Sequence, residues 1–255
     1  MLTVGLDIGS VTTKIAVMSG HSILFTDVIP TGYDMEKAWR RLFKEALQRL
    51  QISESTLHGI VATGYGRNSV PITTKKITEI KCHAEGACFY LPQVRSVIDI
   101  GGQDIKFIRL DANGNVLDFI MNDKCAAGTG RFLEVMAQAL EINLEEFGLL
   151  SLKAQKTIYI SSTCTVFAES EIISHLSKGE KRENIVAGIH AAIANRIVSM
   201  FGRSKIKEPV VLTGGVALNN GIKGALERKL GIPIHVSDTA QVNGAIGAAL
   251  LAQKI

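Results

Sequence analysis

The stretch Val4-Gly5-Leu6-Asp7-Ile8-Gly9 decides the fold, because a second version of it, Val97-Ile98-Asp99-Ile100-Gly101, stands later in the chain. Each is a short apolar run that contains one aspartate and ends in glycine, which is typical of a buried strand running into a tight turn. When Asp7 is laid over Asp99 without gaps, Lys14 falls on Lys106. The alignment indicates two related halves.

The elements that follow repeat in the same order. Strands are predicted at 14–18 and 23–28 in the first half, and at 106–110 and 115–120 in the second. Four similar positions support a duplication only weakly, whereas the matching succession of strand, turn, strand, turn and strand supports it more strongly. Each half is therefore predicted to open with a three-stranded meander.

Apolar spacing predicts the remaining elements. Apolar residues three and four apart predict a helix from near Asp34 to Leu50. The other predicted strands are 59–63, 210–213 and 234–236, and the other predicted helices are 129–140, 167–176, 183–201, 220–230 and 240–253.

Composition excludes several classes of protein. The chain has 255 residues, of which 46% are hydrophobic and 20% charged, so it is not a disordered chain. No run approaches the roughly 18 apolar residues of a membrane span, and the N-terminus reads as a strand rather than a signal peptide, so we expect a cytoplasmic protein with no membrane partner. The net charge of +4 comes with no basic cluster, so no nucleic-acid partner is expected.

The two aspartates suggest a cation site. An aspartate within an apolar strand costs free energy unless it is paired or binds a cation. Asp7 and Asp99, if they face each other across a cleft, would suit Mg²⁺, which prefers carboxylates, water and phosphate oxygens.

Three glycine turns suggest a phosphate site. The turns at 9–13 and 101–104 can present successive backbone N–H groups, and Gly214-Gly215 lies between a buried strand and a helix. The alternative is ordinary hairpin turns capped by aspartate. That is the better interpretation of any one turn, but not of three in this order. The sequence contains neither a Walker loop nor a dinucleotide fingerprint.

Four cysteines leave thiol chemistry or metal ligation open: Cys82, Cys88, Cys125 and Cys164. The chain has no Cys-x-x-Cys pair, so a zinc site made of close ligand pairs is not expected. Cys125 and Cys164 each precede a predicted helix, where free N–H groups and the helix dipole favour a thiolate. The alternative for both is a buried structural cysteine.

Other polar residues have blander interpretations. Cys82 and Cys88 would lie about 120° apart on a helix, so we interpret them as ordinary buried or half-buried thiols. His83 beside them is interpreted as a hydrogen-bonded structural residue. Lys14 is favoured as a phosphate contact because its turn is the first phosphate motif, whereas Lys106 is more often a solvated charge at a strand end.

Longer motifs resemble a known family. The order of 5–10, 98–104 and 212–216 resembles the acetate and sugar kinase, heat-shock chaperone and actin superfamily. Within it, Asn122-Asp123-Lys124-Cys125-Ala126-Ala127-Gly128-Thr129-Gly130 and Ser161-Ser162-Thr163-Cys164-Thr165-Val166-Phe167 resemble the activators (component A) of 2-hydroxyacyl-CoA dehydratases, among the BadF/BadG/BcrA/BcrD-type ATPases. Segments 62–67 and 240–245 fit as well, so the resemblance covers essentially the whole chain.

The resemblance implies a fold and a division of the chain. The expected fold is a duplicated α/β, actin-like (ribonuclease H-like) ATPase with two mixed five-stranded sheets around a nucleotide cleft. The first half is expected to comprise residues 1–95, completed by the C-terminal helix at 240–255. The second half is expected to comprise residues 96–239 and to carry the cluster cysteines.

The resemblance also implies the site residues and cofactors. Asp7, Asp99 and Gln103 would organise Mg²⁺, directly or through water, with Gln103 nearest the metal. A backbone contact at Ala127 and Gly128 would join the nucleotide to Cys125. The other expected ATP or ADP contacts are Ser10, Val11, Thr12, Thr13, Lys14, Gly101, Gly102, Gly214, Gly215, Leu218 and Gln241.

The two cysteine motifs imply the electron chemistry. A cubane iron–sulfur cluster usually takes four cysteines, and the resemblance implies one 4Fe–4S cluster shared between the Cys125 and Cys164 of two subunits. The implied activity is ATP hydrolysis that drives low-potential one-electron transfer. The donor would be ferredoxin or flavodoxin, and the acceptor an iron–sulfur dehydratase or a related double-cluster reductase.

Two other classes stay open. A small-molecule kinase of the same superfamily would need an acceptor pocket and would leave both cysteine motifs unexplained. A non-catalytic nucleotide-binding regulator or filament subunit would lack both colour and nucleotide turnover.

Overall fold

A computed structural model describes residues 1–161 and 164–255 of the chain. Two residues of the second cysteine motif, Ser162 and Thr163, lie outside the described residues. The strands are β1 (Leu2–Ile8), β2 (Thr12–Ser19), β3 (Ser22–Pro30), β4 (Leu57–Thr63), β5 (Lys75–Lys76), β6 (Ser96–Ile100), β7 (Ile105–Leu110), β8 (Val116–Asn122), β9 (Val210–Thr213) and β10 (Ile234–His235). The α-helices are α1 (Met35–Leu50), α2 (Glu79–Tyr90), α3 (Gly130–Ala139), α4 (Leu144–Ser151), α5 (Thr165–Ser177), α6 (Arg182–Phe201), α7 (Asn220–Leu230) and α8 (Asn243–Ala252).

The two sheets have the same topology. The first has the order β3-β2-β1-β4-β5 and the second the order β8-β7-β6-β9-β10. In each sheet the first three strands along the chain pair in antiparallel fashion. The fourth strand pairs in parallel with the first, and the fifth pairs in parallel with the fourth. The predicted meanders, the duplication and the mixed five-stranded sheets are therefore confirmed.

Each half has its own core. In the first, Trp39 and Leu42 of α1 pack on Leu6 and Ile15 of the sheet. In the second, the helices α3 to α7 pack on the other sheet in one large cluster. Among the described residues, α6 is the one helix long and apolar enough to cross a membrane, and 72% of its apolar window is buried inside the protein. Its apolar character therefore belongs to this core.

The C-terminal helix α8 lies between β1 and α2. Its ten residues are all buried, as their small side chains predict. A Cβ on Gly5 would collide with the backbone of Ala245, and one on Gly247 would collide with the carbonyl of Cys82. These close approaches bring α2 and α8 directly behind the strand end that carries Asp7.

The predictions missed two helices and one short strand. The helix α2 has buried small and apolar residues with little segregation to one face, so its pattern did not indicate a helix. The helix α4 has eight residues and a short apolar run, and β5 has only two residues. The predicted helix at 240–253 begins as a 3₁₀ turn at Ala240–Val242 before α8.

Candidate functional site

A cavity of about 1110 Å³ lies between the carboxyl end of β1 in the first sheet and that of β6 in the second. This volume is at the upper end of what small-molecule sites occupy. Thirteen of the predicted site residues line it: Asp7, Ser10, Val11, Thr12, Lys14, Asp99, Gly101, Gly102, Gln103, Gly214, Gly215, Leu218 and Gln241.

Strand register places the two aspartates equivalently. Asp7 lies between Lys14 on β2 and Thr63 on β4. Asp99 lies between Lys106 on β7 and Thr213 on β9. Each aspartate thus has a lysine on one side and a threonine on the other. The structure therefore adds an equivalent threonine to the Asp–Lys pair that the sequence alignment showed.

The turns after the two strands are also equivalent. The Gly9 N–H donates to the Thr12 carbonyl at 3.1 Å, and the Gly101 N–H donates to the Asp104 carbonyl at 2.9 Å. The two turns meet across the cleft, because a Cβ on Gly102 would lie 2.5 Å from Cγ2 of Val11. Glycine at position 102 is therefore required for the halves to approach.

A fourth glycine turn completes the symmetry. Gly64 after β4 has φ +89°, and Gly214 after β9 has φ +88°. A Cβ would collide with the carbonyl oxygen of Ile8 at Gly64, and with that of Ile100 at Gly214. The pair Thr-Gly therefore occurs twice, at Thr63-Gly64 and at Thr213-Gly214. This repeat is visible in the sequence, but the ungapped alignment of Asp7 with Asp99 does not bring the two pairs together.

Asp99 is held by three donors. Its Oδ1 accepts from Thr213 Oγ1 at 2.8 Å and lies 3.2 Å from His83 Nδ1, and its Oδ2 lies 3.3 Å from Lys106 Nζ. Burial alone would raise the pKa of Asp99, but His83, Lys106 and Thr213 together lower it to about 2. The carboxylate is therefore ionised and nearly saturated with donors.

The interpretation of Lys106 as a solvated charge is wrong. The residue is only 2% exposed. Its Nζ lies 2.8 Å from Glu79 Oε2 and 2.6 Å from Asp104 Oδ2, in addition to Asp99. Burial would lower its pKa, but the three carboxylates raise it well above the usual range. These partners come from distant parts of the chain, so the strand pattern alone could not reveal them.

Lys14 has a different environment. Its Nζ lies 3.2 Å from Asp7 Oδ2, and its side chain lines the cavity with 14% of its surface exposed. Because Asp7 is the one acid paired with it among the described residues, its charge is less fully neutralised than that of Lys106. Lys14 can therefore face an anion in the cleft.

Three predicted contacts lie away from the cavity. The Thr13 hydroxyl is buried and hydrogen-bonds Thr31 Oγ1 at 2.9 Å. Ala127 and Gly128 are buried, and a Cβ on Gly128 would lie 3.3 Å from the Ile105 side chain. The side of this loop that faces the cleft is formed by Asp123 and Gly130, and the nucleotide contact at Ala127 and Gly128 stays a prediction.

Backbone hydrogen bonds tie the same loop to the second turn. The Gly130 N–H donates to the Gly101 carbonyl at 2.9 Å, and the Arg131 N–H donates to the Gly102 carbonyl at 2.8 Å. The first turn of α3 is thus bound to a turn that lines the cavity. On the other side of the loop, the Asn122 side chain donates to the Cys125 carbonyl at 2.9 Å.

The four cysteines differ in their burial. Cys82 is buried and Cys88 half-buried, and burial raises the pKa of both thiols, that of Cys82 to about 12. Both are ordinary thiols, as predicted. Cys125 is half-buried and Cys164 is exposed.

The placement of the two motif cysteines differs in one respect from the prediction. Cys164 is the N-cap of α5, as expected. Cys125 lies four positions before Thr129, the N-cap of α3, so the helix dipole does not act on it directly. The helices α3 and α5 that follow the two cysteines pack together.

The cavity also has lining residues that were not predicted as site residues. Glu79 and His83 reach it from α2, and Leu144, Gly148 and Asn219 line it near the Gly214-Gly215 turn. Asn219 caps α7 by accepting from the Gly221 and Ile222 N–H groups. Because α2 was not predicted, Glu79 was not noticed, and His83 was interpreted only as a hydrogen-bonded structural residue.

Comparison with known proteins gives the family and the fold that this chain resembles. The family model that matches the chain is that of the BadF/BadG/BcrA/BcrD ATPase family, over residues 4–252. The 2-hydroxyisocaproyl-CoA dehydratase activator of Clostridioides difficile is 46% identical over 99% of this chain and 95% of its own length. Its solved structure with bound ADPNP matches with a TM-score of 0.94 over 100% of this chain and 95% of the other.

Two further relatives have similar names. The (R)-2-hydroxyglutaryl-CoA dehydratase activating ATPase of Acidaminococcus fermentans is 47% identical over 99% of this chain and 97% of its own length, and its component A structure matches with a TM-score of 0.96 over 100% and 98% of the two chains. The activator of lactoyl-CoA dehydratase of Anaerotignum propionicum is 46% identical over 99% and 97%. The superpositions confirm the predicted fold.

Proposed function

The chain belongs to the BadF/BadG/BcrA/BcrD ATPase family, and we propose from this that it is a cytoplasmic ATP-dependent electron donor. It would couple ATP hydrolysis to low-potential one-electron transfer onto a partner 2-hydroxyacyl-CoA dehydratase or related double-cluster reductase, with ferredoxin or flavodoxin as reductant. The observation that carries the proposal is the doubled Asp–Lys–Thr–Gly arrangement around one cleft, joined by α3 to a loop with a motif cysteine.

The cleft fits a nucleotide with Mg²⁺. The turns after β1 and β6 present backbone groups to phosphates, and Lys14 supplies a positive charge beside them. Asp99 has three donors already, so it would reach the metal through a bound water, whereas Asp7 and Gln103 are the better candidates for the positions nearest the metal. Gly214, Gly215, Leu218 and Gln241 would border the nucleoside.

The cysteines fit a cluster shared by two subunits. Among the described residues, no group of three or more His, Cys, Asp or Glu side chains could hold a metal ion, so the protomer offers too few ligands by itself. Cys125 and Cys164 from each of two protomers would supply the four thiolates of one 4Fe–4S cluster, which acts as a one-electron carrier when bound. Tyr159, Val166 and Phe167 near Cys164 are more than half exposed, which supports burial of this face in a homodimer.

The coupling would act through α3. We propose that residues 1–95 with 240–255 form one body and residues 96–239 the other, and that ATP changes their arrangement. The Gly101 and Gly102 carbonyls would then move the first turn of α3, and with it the loop that holds Cys125. This route does not depend on the direct contact predicted at Ala127 and Gly128.

Iron content and the visible spectrum of anaerobically purified protein test the proposal. We expect about four irons per dimer and a brown cluster chromophore. Cys125→Ala or Cys164→Ala should each abolish both signals, while the matched controls Cys88→Ala and Cys82→Ala should keep them. Full iron content in a monomer, or in Cys125→Ala, would refute the shared cluster, and a colourless wild-type protein without nucleotide turnover would refute the electron-donor function.

A further inference from the structure

His83 occupies the floor of the cleft between the two aspartates. It lies on α2, one helical turn after Glu79, so both side chains project from the same face. Both line the cavity, and His83 is only 5% exposed. Its position makes α2, rather than either sheet, the element that reaches both carboxylates.

One ring nitrogen of His83, Nδ1, contacts Asp99 in the second half. Nδ1 lies 3.2 Å from Asp99 Oδ1, an oxygen that also accepts from Thr213 Oγ1. Nδ1 also lies 3.4 Å from Asn243 Nδ2, an amide nitrogen that can only donate. When Nδ1 carries the proton, it therefore donates to Asp99 rather than accepting from Asn243. The backbone is fixed as well, because the Asn243 side chain of α8 donates to the His83 carbonyl at 3.0 Å.

The other ring nitrogen faces the first half. A Cβ added to Gly244 of α8 would lie 2.9 Å from His83 Nε2 and 3.1 Å from Asp7 Oδ2. Both atoms therefore border the same small space, which the missing side chain of Gly244 keeps clear. Within the described part of the chain His83 forms its ion pair with Asp99 and none with Asp7. Nε2 and Oδ2 are therefore more than 4.0 Å apart and no farther apart than the sum of their distances to that Cβ position, a range that one bridging water can span.

We propose that His83 is a positioning residue for ATP hydrolysis that holds the two carboxylates in register across the cleft. It fixes Asp99 directly through Nδ1, and it fixes Asp7 through a water held between Nε2 and Oδ2. Gly244 contributes to this arrangement because a Cβ there would crowd both Nε2 and Oδ2 and narrow the space between them. The inference rests on the proposed ATPase function and adds to it the residue that links the two halves at the metal site.

The test compares His83→Asn, His83→Ala and Gly244→Ala by steady-state ATP hydrolysis, calorimetric binding of Mg-ADP and thermal unfolding. Asparagine keeps an N–H donor near the position of Nδ1 but has no atom at Nε2. We expect kcat to fall about tenfold in His83→Asn and in Gly244→Ala, and further in His83→Ala. The KM for ATP and the Mg-ADP affinity should change less than about twofold in His83→Asn, because Lys14 and the glycine turns remain.

Two controls separate this role from a structural one. Gly224→Ala on α7 and His58→Asn at an exposed position of β4 make the same chemical changes away from the cavity, and both should keep wild-type turnover. The water bridge would be overturned if folded Gly244→Ala had the kcat of the wild-type protein. It would also be overturned if His83→Asn had the kcat of the wild-type protein. Turnover by the wild-type protein tests the proposed function by itself, while the ratio of variant to wild-type turnover tests His83, so the two ideas fail separately.

Discussion

The two strand ends at the cleft start from the same plan and differ in how completely their charges are satisfied. In the first half, Asp7 faces one lysine, and that lysine lines the cavity. In the second half, Asp99 is held by Thr213, His83 and Lys106, and Lys106 is itself surrounded by three carboxylates. We call Asp99 and Lys106 the locked pair, because their charges are paired with several buried groups of the protein. We call Asp7 and Lys14 the open pair, because they border the cavity and can contact a ligand there.

This difference suggests a division of labour. A locked carboxylate keeps its position whether or not a nucleotide is present, so it can serve as a fixed reference for the metal. An open lysine beside a carboxylate can exchange its partner for a phosphate at little cost in stability. The two strand ends have the same backbone arrangement, and the side chains that α2 contributes make their charge environments different.

Replacing the locked lysine should have the largest effect on stability. Lys106→Met would leave Asp99, Glu79 and Asp104 close together without their shared cation. Loss of one partner from a buried charged network typically costs about 3–5 kcal/mol, which corresponds to roughly 10 °C in Tm. Thermal or denaturant unfolding measures the loss. The matched variant Lys14→Met should lose less, because one carboxylate that borders the cavity loses its cation rather than three, and equal losses would remove the distinction between the halves.

The two threonines should differ in the same direction. Thr213→Val removes a 2.8 Å bond to the Asp99 carboxylate, so we expect a loss of about 2 kcal/mol in unfolding free energy. Thr63→Val changes the equivalent hydroxyl, which is buried and makes no bond to Asp7 within the described residues, so its cost should be below about 0.5 kcal/mol. Chemical denaturation of both variants measures the difference, and a larger loss in Thr63→Val would reverse the comparison.

The open lysine should matter for binding rather than for folding. Lys14→Met should raise the dissociation constant of Mg-ATP about tenfold, or roughly 1.4 kcal/mol, because a charge beside the phosphates is lost. Calorimetric titration of the variant against wild-type protein measures this change. Unaltered affinity in a folded variant would show that the first-half lysine is not a phosphate contact.

Much of this site could be predicted because its strands and glycine turns are formed by short continuous segments of the sequence. Asp7 and Asp99 stand in apolar strands of the same pattern, and the glycines that follow them are visible as turns. The asymmetry could not be predicted, since it arises from contacts between distant segments. Glu79 and His83 lie on a helix with no clear apolar stripe, and a lysine in a strand gives no sign of three carboxylates gathered around it.

The route to the cysteine loop shows the same limit. The motif around Cys125 placed it near the cleft, but the order of residues along the loop did not reveal which of them face inward. Ala127 and Gly128 pack beneath the loop, while Gly130 and Arg131 bind the Gly101 and Gly102 carbonyls. Backbone pairing between separate segments has no signature in side-chain identity.

If the nucleotide cleft and the cluster site are coupled, the rate of iron chelation from the reduced dimer should depend on the nucleotide that is bound. The rate is measured at saturating ADP and at a saturating non-hydrolysable ATP analogue, with the same protein and the same chelator. Since coupling free energies are typically about 1–3 kcal/mol, we predict that the two rates differ by at least about fivefold. Equal rates in the two nucleotide states would contradict the account and leave the cluster as a simple fastening between subunits.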